Sequence, residues 1–201
     1  MKLYYSPGAC SLASHIALRE SGLTFDLQRT STKTHVTADG TDFYTINPKG
    51  SVPVLEIANG ERLTEGPVIL QYIADQVPQK QLAPPAGSMD RYRLQEWLNY
   101  ITSELHKSFG PLFTPAMPAD AKEVLKGWIA HRLKWVDGQL AGKPYLTGDT
   151  FTVADAYLYT VVNWAPHVGI STAELPNLLA FMARVGARPA VGEALKAEGL
   201  V

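Results

Sequence analysis

The chain has 201 residues, 46% hydrophobic, 18% charged and 9% aromatic, with a formal net charge of −1, so it can bury a real core in one large or two small domains and is not, as a whole, a nucleic-acid or membrane-surface binder. No stretch approaches the roughly 20 apolar residues of a membrane span, and Pro7-Gly8 cuts the N-terminal apolar run too short for an export signal. One cysteine permits neither an internal disulfide nor a thiolate metal cluster, and the histidines form no metal motif, so the expectation is a cytoplasmic protein without a metal.

The first 78 residues alternate strand and helix. Lys2–Tyr5 reads as a short strand stopped by Ser6-Pro7-Gly8. Leu12, Ile16 and Leu18 then keep helical spacing over Ser11–Ser21, and Gly22 supplies a left-handed stop. Phe25 and Leu27 alternate with polar residues as a strand does; Thr30–Thr41 has no period and reads as loop, and a short helical turn follows at Asp42–Ile46. Val54–Ile57 and Glu61–Leu63 form a hairpin through Asn59-Gly60, and Val68, Ile69, Tyr72, Ile73 and Val77 mark a helix face from Gly66 to Val77. The order β-α-β-(α)-β-β-α implies a parallel pair with a right-handed crossover and an antiparallel hairpin in one sheet, the layout of a thioredoxin-like α/β domain.

A proline-rich, aperiodic segment supplies the linker at residues 79–88, and residues 89–201 read as all-helical. Leu94, Leu98, Ile101 and Leu105 form the seam of a long helix ending before Pro111. A second helix spans Ala119–Leu140 with Val124, Trp128, Leu133, Val136 and Leu140 inward; a third opens at Thr152 and runs toward Trp164. Two shorter ones cover Glu174–Val185 and Pro189–Ala197. In Phe-Thr-Val-Ala-Asp, Thr152 and Asp155 have capping-box spacing, a structural signal rather than a catalytic one.

Four places carry chemistry. Cys10 precedes a helix, where unpaired N–H groups and the dipole favour thiolate; a small buried hydrophobe is the competing reading. No second cysteine lies nearby, so only a mixed disulfide with an external thiol is open to it. Val52-Pro53 leads into a strand, where proline cannot donate to the ladder; either it is a plain turn, or it exposes backbone groups that an extended peptide can pair with. Glu65-Gly66 opens a helix, a place suited to an ammonium on the carboxylate and an anion on the N–H groups, or merely to a dipole-facing glutamate. Asn99, Ser103 and His106 are spaced four and three on the long helix and share a face, which spacing alone assigns to solvent.

Together Ser-Pro-Gly-Ala-Cys-Ser-Leu, Ile-Asn-Pro-Lys-Gly-Ser-Val-Pro-Val-Leu-Glu, Leu-Thr-Glu-Gly-Pro-Val-Ile and Glu-Trp-Leu-Asn-Tyr-Ile-Thr-Ser-Glu-Leu-His-Lys, with the capping segment, make the whole chain resemble bacterial beta-class glutathione transferases. The resemblance implies a thioredoxin-like domain with a cis Val52–Pro53 bond, an all-helical domain, and a homodimer sharing residues between sites. It places Cys10 and His106 at the reacting thiol and Ser11 beside them. Val52, before Pro53, lies on the tripeptide backbone, and Glu65 and Gly66 on its γ-glutamyl head. Gly66 stands where a serine is common, leaving only a backbone N–H there.

The same resemblance sets Asn99, Ser103, Glu104, His106 and Lys107 around glutathione, with Glu104 reaching the neighbouring subunit's ligand. Lys33 and His35 are weaker candidates for the glycine carboxylate; Tyr5 stands where other classes keep a catalytic tyrosine. Phe109, Phe113, Trp164 and His167 are candidates for a hydrophobic substrate pocket, or for core. The expected activity is glutathione conjugation to hydrophobic electrophiles, with thiol-transferase or reductive dehalogenase chemistry through Cys10. The alternative is a non-catalytic relative that binds a ligand or protein.

Overall fold

The computed structural model describes residues 1–201 and divides them into two compact units, Met1–Ala83 with Arg188–Val201, and Pro84–Ala187. In the first, β1 (Lys2–Tyr5), α1 (Ser11–Ser21) and β2 (Asp26–Arg29) form a βαβ unit with β1 and β2 parallel. The strands β3 (Val54–Glu56) and β4 (Arg62–Leu63) add antiparallel, and the sheet order is β2-β1-β3-β4. Leu3 stands opposite both Leu27 and Leu55, so one apolar row crosses three strands. The hairpin turns at Gly60, whose φ of 83° is the left-handed geometry that glycine adopts without a Cβ penalty.

Helix α1 is buried from Ser11 to Leu18, because α2 (Gly66–Asp75) and α8 (Pro189–Glu198) both pack on it beside the sheet. Its polar residues are therefore internal, which the sequence periodicity understates. On α2 the buried side chains are Ile69, Leu70, Ile73 and Ala74, while Val68 is exposed.

Composition alone assigns Pro189–Ala197 to the helical domain, but the structure groups it with the first unit. The reason is α8's inward face. Val191 and Ala194 are fully buried, Glu198 is nearly so, and Arg188 grips Glu20 of α1 through Nε at 2.5 Å and Nη2 at 2.9 Å.

The second unit is helical: α3 (Met89–Tyr100), α4 (Lys107–Phe109), α5 (Ala119–Gln139), α6 (Val153–Val162) and α7 (Pro176–Gly186). Every residue of α6 is buried, as expected of a helix apolar nearly all round. On α5 the buried row is Ile129, Leu133 and Val136, continued by Leu140 at its C-cap. Val124 and Trp128, expected to face inward, are more than half exposed; they fall out of phase with that row.

Between α3 and α4, residues Ile101–His106 widen into a π-helical turn. Such a turn releases carbonyls from their usual partners, and local hydroxyls cover them. Thr102 Oγ1 donates to Leu98 O at 2.7 Å, Ser103 Oγ to Asn99 O at 3.1 Å and Ser108 Oγ to Glu104 O at 2.8 Å.

Candidate functional site

Cys10 is the N-cap residue of α1, and its side chain does not cap the helix. Its Sγ lies 3.1 Å from the carbonyl oxygen of Val52, to which the thiol donates. The neighbouring serine does the structural work. Ser11 Oγ accepts the Ser6 N–H at 3.1 Å and donates to Ser6 O at 3.2 Å, closing the Ser-Pro-Gly-Ala turn from inside. Ser11 is fully buried, and its hydroxyl clamps the loop.

The same loop is held from the other end of the chain. Glu198 accepts the Gly8 N–H through Oε2 and bonds His15 Nδ1 through Oε1, both at 2.9 Å, and both side chains are completely buried. Arg19 Nε donates to His15 Nε2 at 3.4 Å, which leaves Nδ1–H as the donor to Glu198. Tyr5 is buried beside His15, and burial, with Glu198 as the next cause, raises its phenol pKa.

The facing segment runs from Asn47 to Pro53. The Val52–Pro53 bond is cis, as the resemblance implies. Asn47, almost fully buried, holds the turn: Nδ2 donates to Ser51 O at 2.7 Å, Oδ1 accepts the Lys49 N–H at 3.2 Å, and its carbonyl accepts the Gly50 N–H at 2.8 Å. Gly50 has φ 66°, and a Cβ there would stand 2.6 Å from Tyr44 Cε1 and push that ring aside, so backbone and packing both favour glycine. His35 lies against this turn, its ring 4.6 Å from Tyr44's and its Nδ1 buried without a hydrogen-bond partner. Lys33, two residues before it, is exposed.

Glu65 is the N-cap of α2 with φ 67° and ψ 113°, rare for a residue with a side chain. Strained backbone of this kind concentrates at functional positions. Its carbonyl accepts the Val68 and Ile69 N–H groups, each at 3.0 Å, and Pro67 has none to offer. Its carboxylate is exposed and meets Lys49 Nζ at 2.5 Å, while the same Nζ donates to Thr64 Oγ1 at 2.8 Å. Lys49 therefore stands beside Glu65, although nothing in the sequence singled it out. It sits inside Asn-Pro-Lys-Gly, where the turn signal hides it, and only the tertiary pairing reveals it.

In the second unit the shared face expected for Asn99, Ser103 and His106 divides. Asn99, Ser103 and Glu104 line an open pocket of about 580 Å³ with Trp97, Tyr100 and Trp135. His106 instead turns to Tyr157, with Nδ1 2.6 Å from the phenol oxygen, and its ring lies 5.0 Å from Trp164's. The π turn is the physical cause: it adds backbone per turn, so α-helical spacing no longer predicts which residues align. Glu104 accepts from Arg132 Nε at 3.0 Å and Nη2 at 2.8 Å.

Trp164 gathers the aromatic candidates, with ring centroids 5.8 Å from Phe109 and 6.2 Å from Phe113. Phe113 is half exposed and can offer surface; Phe109 is fully buried and is core. His167 and Lys107 are exposed. Tyr157, almost fully enclosed and bonded to His106, carries no sequence signal of its own.

Two family profiles match, one described as the glutathione S-transferase N-terminal domain over residues 8–76 and one as the C-terminal domain over residues 100–189. The chain is 48% identical to glutathione S-transferase GstA of Escherichia coli O157:H7, covering all of both proteins. A solved ternary complex of BphK, a bacterial glutathione transferase, superposes with a TM-score of 0.98 at 55% identity over the full length of both chains. A sphingomonad glutathione S-transferase solved in complex with glutathione gives 0.97 at 50% identity, again over both whole chains.

Proposed function

Because the chain belongs to the glutathione S-transferase family, on its bacterial beta-class branch, we propose that its first unit binds glutathione between Cys10 and Glu65 and that the protein transfers the glutathione thiolate to hydrophobic electrophiles. The observation that carries the reading is the 3.1 Å approach of Cys10 Sγ to Val52 O, beside a cis proline. It sets a sulfur against backbone groups that an extended peptide can pair with as a strand would. When the N–H of a cysteinyl residue takes the Val52 carbonyl, the Cys10 S–H loses its acceptor. The helix N-terminus at Cys10 then favours the anion.

Two reactions follow from a thiolate at that place. In conjugation, the glutathione sulfur forms a bond to an electrophilic carbon, and the leaving group departs with its electron pair. In exchange, the Cys10 thiolate attacks one sulfur of a glutathione mixed disulfide. The other thiol leaves as thiolate, and a second glutathione regenerates Cys10 while forming glutathione disulfide. Within the second unit, His106 Nδ1 is engaged by Tyr157, and the exposed surface of Phe113 against Trp164 suits an apolar ligand. By the resemblance, the protein works as a homodimer in which Asn99, Ser103 and Glu104 serve the neighbouring ligand.

The test is calorimetric titration with glutathione, together with turnover of an activated aryl chloride and of a glutathione mixed disulfide. Saturable binding with both activities is expected. Cys10→Ala abolishes disulfide exchange while glutathione still binds. A folded wild-type protein that neither binds glutathione nor conjugates it is a non-catalytic relative, and exchange that survives Cys10→Ala removes the cysteine's role.

A further inference from the structure

Resting on the glutathione reading, we propose that Lys49 determines specificity for the γ-glutamyl end of the ligand: its ammonium receives the α-carboxylate while Glu65 receives the α-ammonium. Lys49 and Glu65 are both fixed by backbone. Asn47 pins the turn that carries Lys49 through three hydrogen bonds, and Glu65 is locked at the start of α2 by the two N–H groups its carbonyl accepts. The pair is therefore placed by the fold, although the Lys49 side chain is about half exposed and the Glu65 side chain more so, both reachable from solvent.

The donors available to an anion at this helix start are few. Pro67 has no N–H, and those of Val68 and Ile69 are bonded to Glu65 O, which leaves the Gly66 N–H of the first turn. One neutral donor is a poor match for a carboxylate with two oxygens. Gly66 also has no hydroxyl to add. Lys49 Nζ is the cation beside it, and it directs two of its three N–H groups to Thr64 Oγ1 and Glu65 Oε1. The third can bind a ligand oxygen without either contact being broken. Carboxylate, lysine, ligand carboxylate and ligand ammonium then alternate in sign around one ring, and each charge has an opposite neighbour.

This arrangement separates Lys49 as a ligand-binding group from Lys49 as a competitor that occupies Glu65. The experiment uses the full chain and two peptides. One is glutathione, and the other is 4-aminobutanoyl-cysteinylglycine, which keeps the amine but lacks the α-carboxylate. Hydrogen bonds to charged groups are worth about 1.5–3 kcal/mol, so Lys49→Met is expected to weaken glutathione binding by roughly 10- to 100-fold. Binding of the decarboxy peptide is expected to change by less than about 3-fold, because the group Lys49 recognises is absent. Lys49→Arg restores most of the glutathione affinity, and both variants melt close to the wild type because the side chain is exposed.

Tighter or unchanged glutathione binding by Lys49→Met overturns the inference and makes Lys49 a competitor. An equal loss for both peptides also overturns it, since the lysine then only supports Glu65. If wild type binds neither peptide, the glutathione reading itself fails. If wild type binds glutathione and the two losses are equal, only the role of Lys49 fails.

Discussion

Two helices of this protein begin in opposite ways. At α6, the chain closes its own end: Asp155 accepts the Thr152 N–H at 2.7 Å, the Thr152 hydroxyl at 2.9 Å and the Leu146 N–H at 2.9 Å, all in the fully buried interior. At α1, the cap position is Cys10, whose sulfur turns away from the helix to Val52 O and does not cap it. The serine that follows holds the loop instead. Both ends obey the same rule, that the first N–H groups of a helix need partners. In one the sequence supplies them permanently. In the other, the Leu12 and Ala13 N–H groups take the Ala9 and Cys10 carbonyls, the cap side chain is a thiol whose charge can change, and the turn's stability rests on Ser11 and Glu198.

The sharpest way to break that comparison is to remove the cap at α6. Asp155→Ala strands two buried backbone N–H groups and a hydroxyl, at about 1–3 kcal/mol each, partly offset because a buried charge is also removed. We expect a loss of about 3 kcal/mol at pH 7 in urea unfolding, and more below pH 5. A loss under about 1 kcal/mol shows that water replaces the carboxylate and that this end is not closed by Asp155.

The pH dependence sharpens the same point. Burial raises the Asp155 pKa from 3.8 to about 6, against the hydrogen bonds that pull it down. Below about pH 4 the carboxyl is protonated whether folded or not. Between about 4 and 6 the unfolded chain has released the proton that the folded chain keeps, so stability falls as pH rises through this window. Above 6 the slope ends. The fall attributable to this group is on the order of 3 kcal/mol. It should appear as the difference between the wild-type and Asp155→Asn stability curves, because asparagine does not titrate. Parallel curves between pH 4 and 6 would mean that Asp155 is ionised throughout.

The contrast also explains what could be read in advance. The α6 cap is legible because all its parts lie within a few residues, at spacings the backbone dictates. The order of elements along the first unit was legible for the same reason, whereas the cis proline was implied by the resemblance. Lys49 was not, because it meets Glu65 across sixteen positions of sequence. Nor was the burial of Glu198, which a C-terminal glutamate does not suggest until α8 packs on α1 and meets His15. The division of Asn99 and Ser103 from His106 failed differently. Helical spacing assumes a constant turn, and Ile101–His106 does not keep one. The hydroxyls of Thr102, Ser103 and Ser108, each bonded four residues back, were the available hint.

The smallest expected effect tests the open end. If Cys10 were a core residue in disguise, shortening it to alanine would leave a cavity and cost what buried truncations cost. If it is a chemical group at an uncapped helix end, the fold hardly depends on it. The thiol is half-buried and a weak donor, and the hydroxyl that closes the neighbouring turn belongs to Ser11. Cys10→Ala is therefore expected to shift the unfolding free energy by no more than about 0.5 kcal/mol, the range of substitutions away from packed or capping positions. The urea midpoint measures this directly, and the same preparation serves for the exchange assay. Together the two readouts separate the helices: α6 loses stability when its cap is removed, and α1 loses reactivity with its fold intact. A drop above about 1.5 kcal/mol for Cys10→Ala would put the sulfur among the packing groups and erase the distinction.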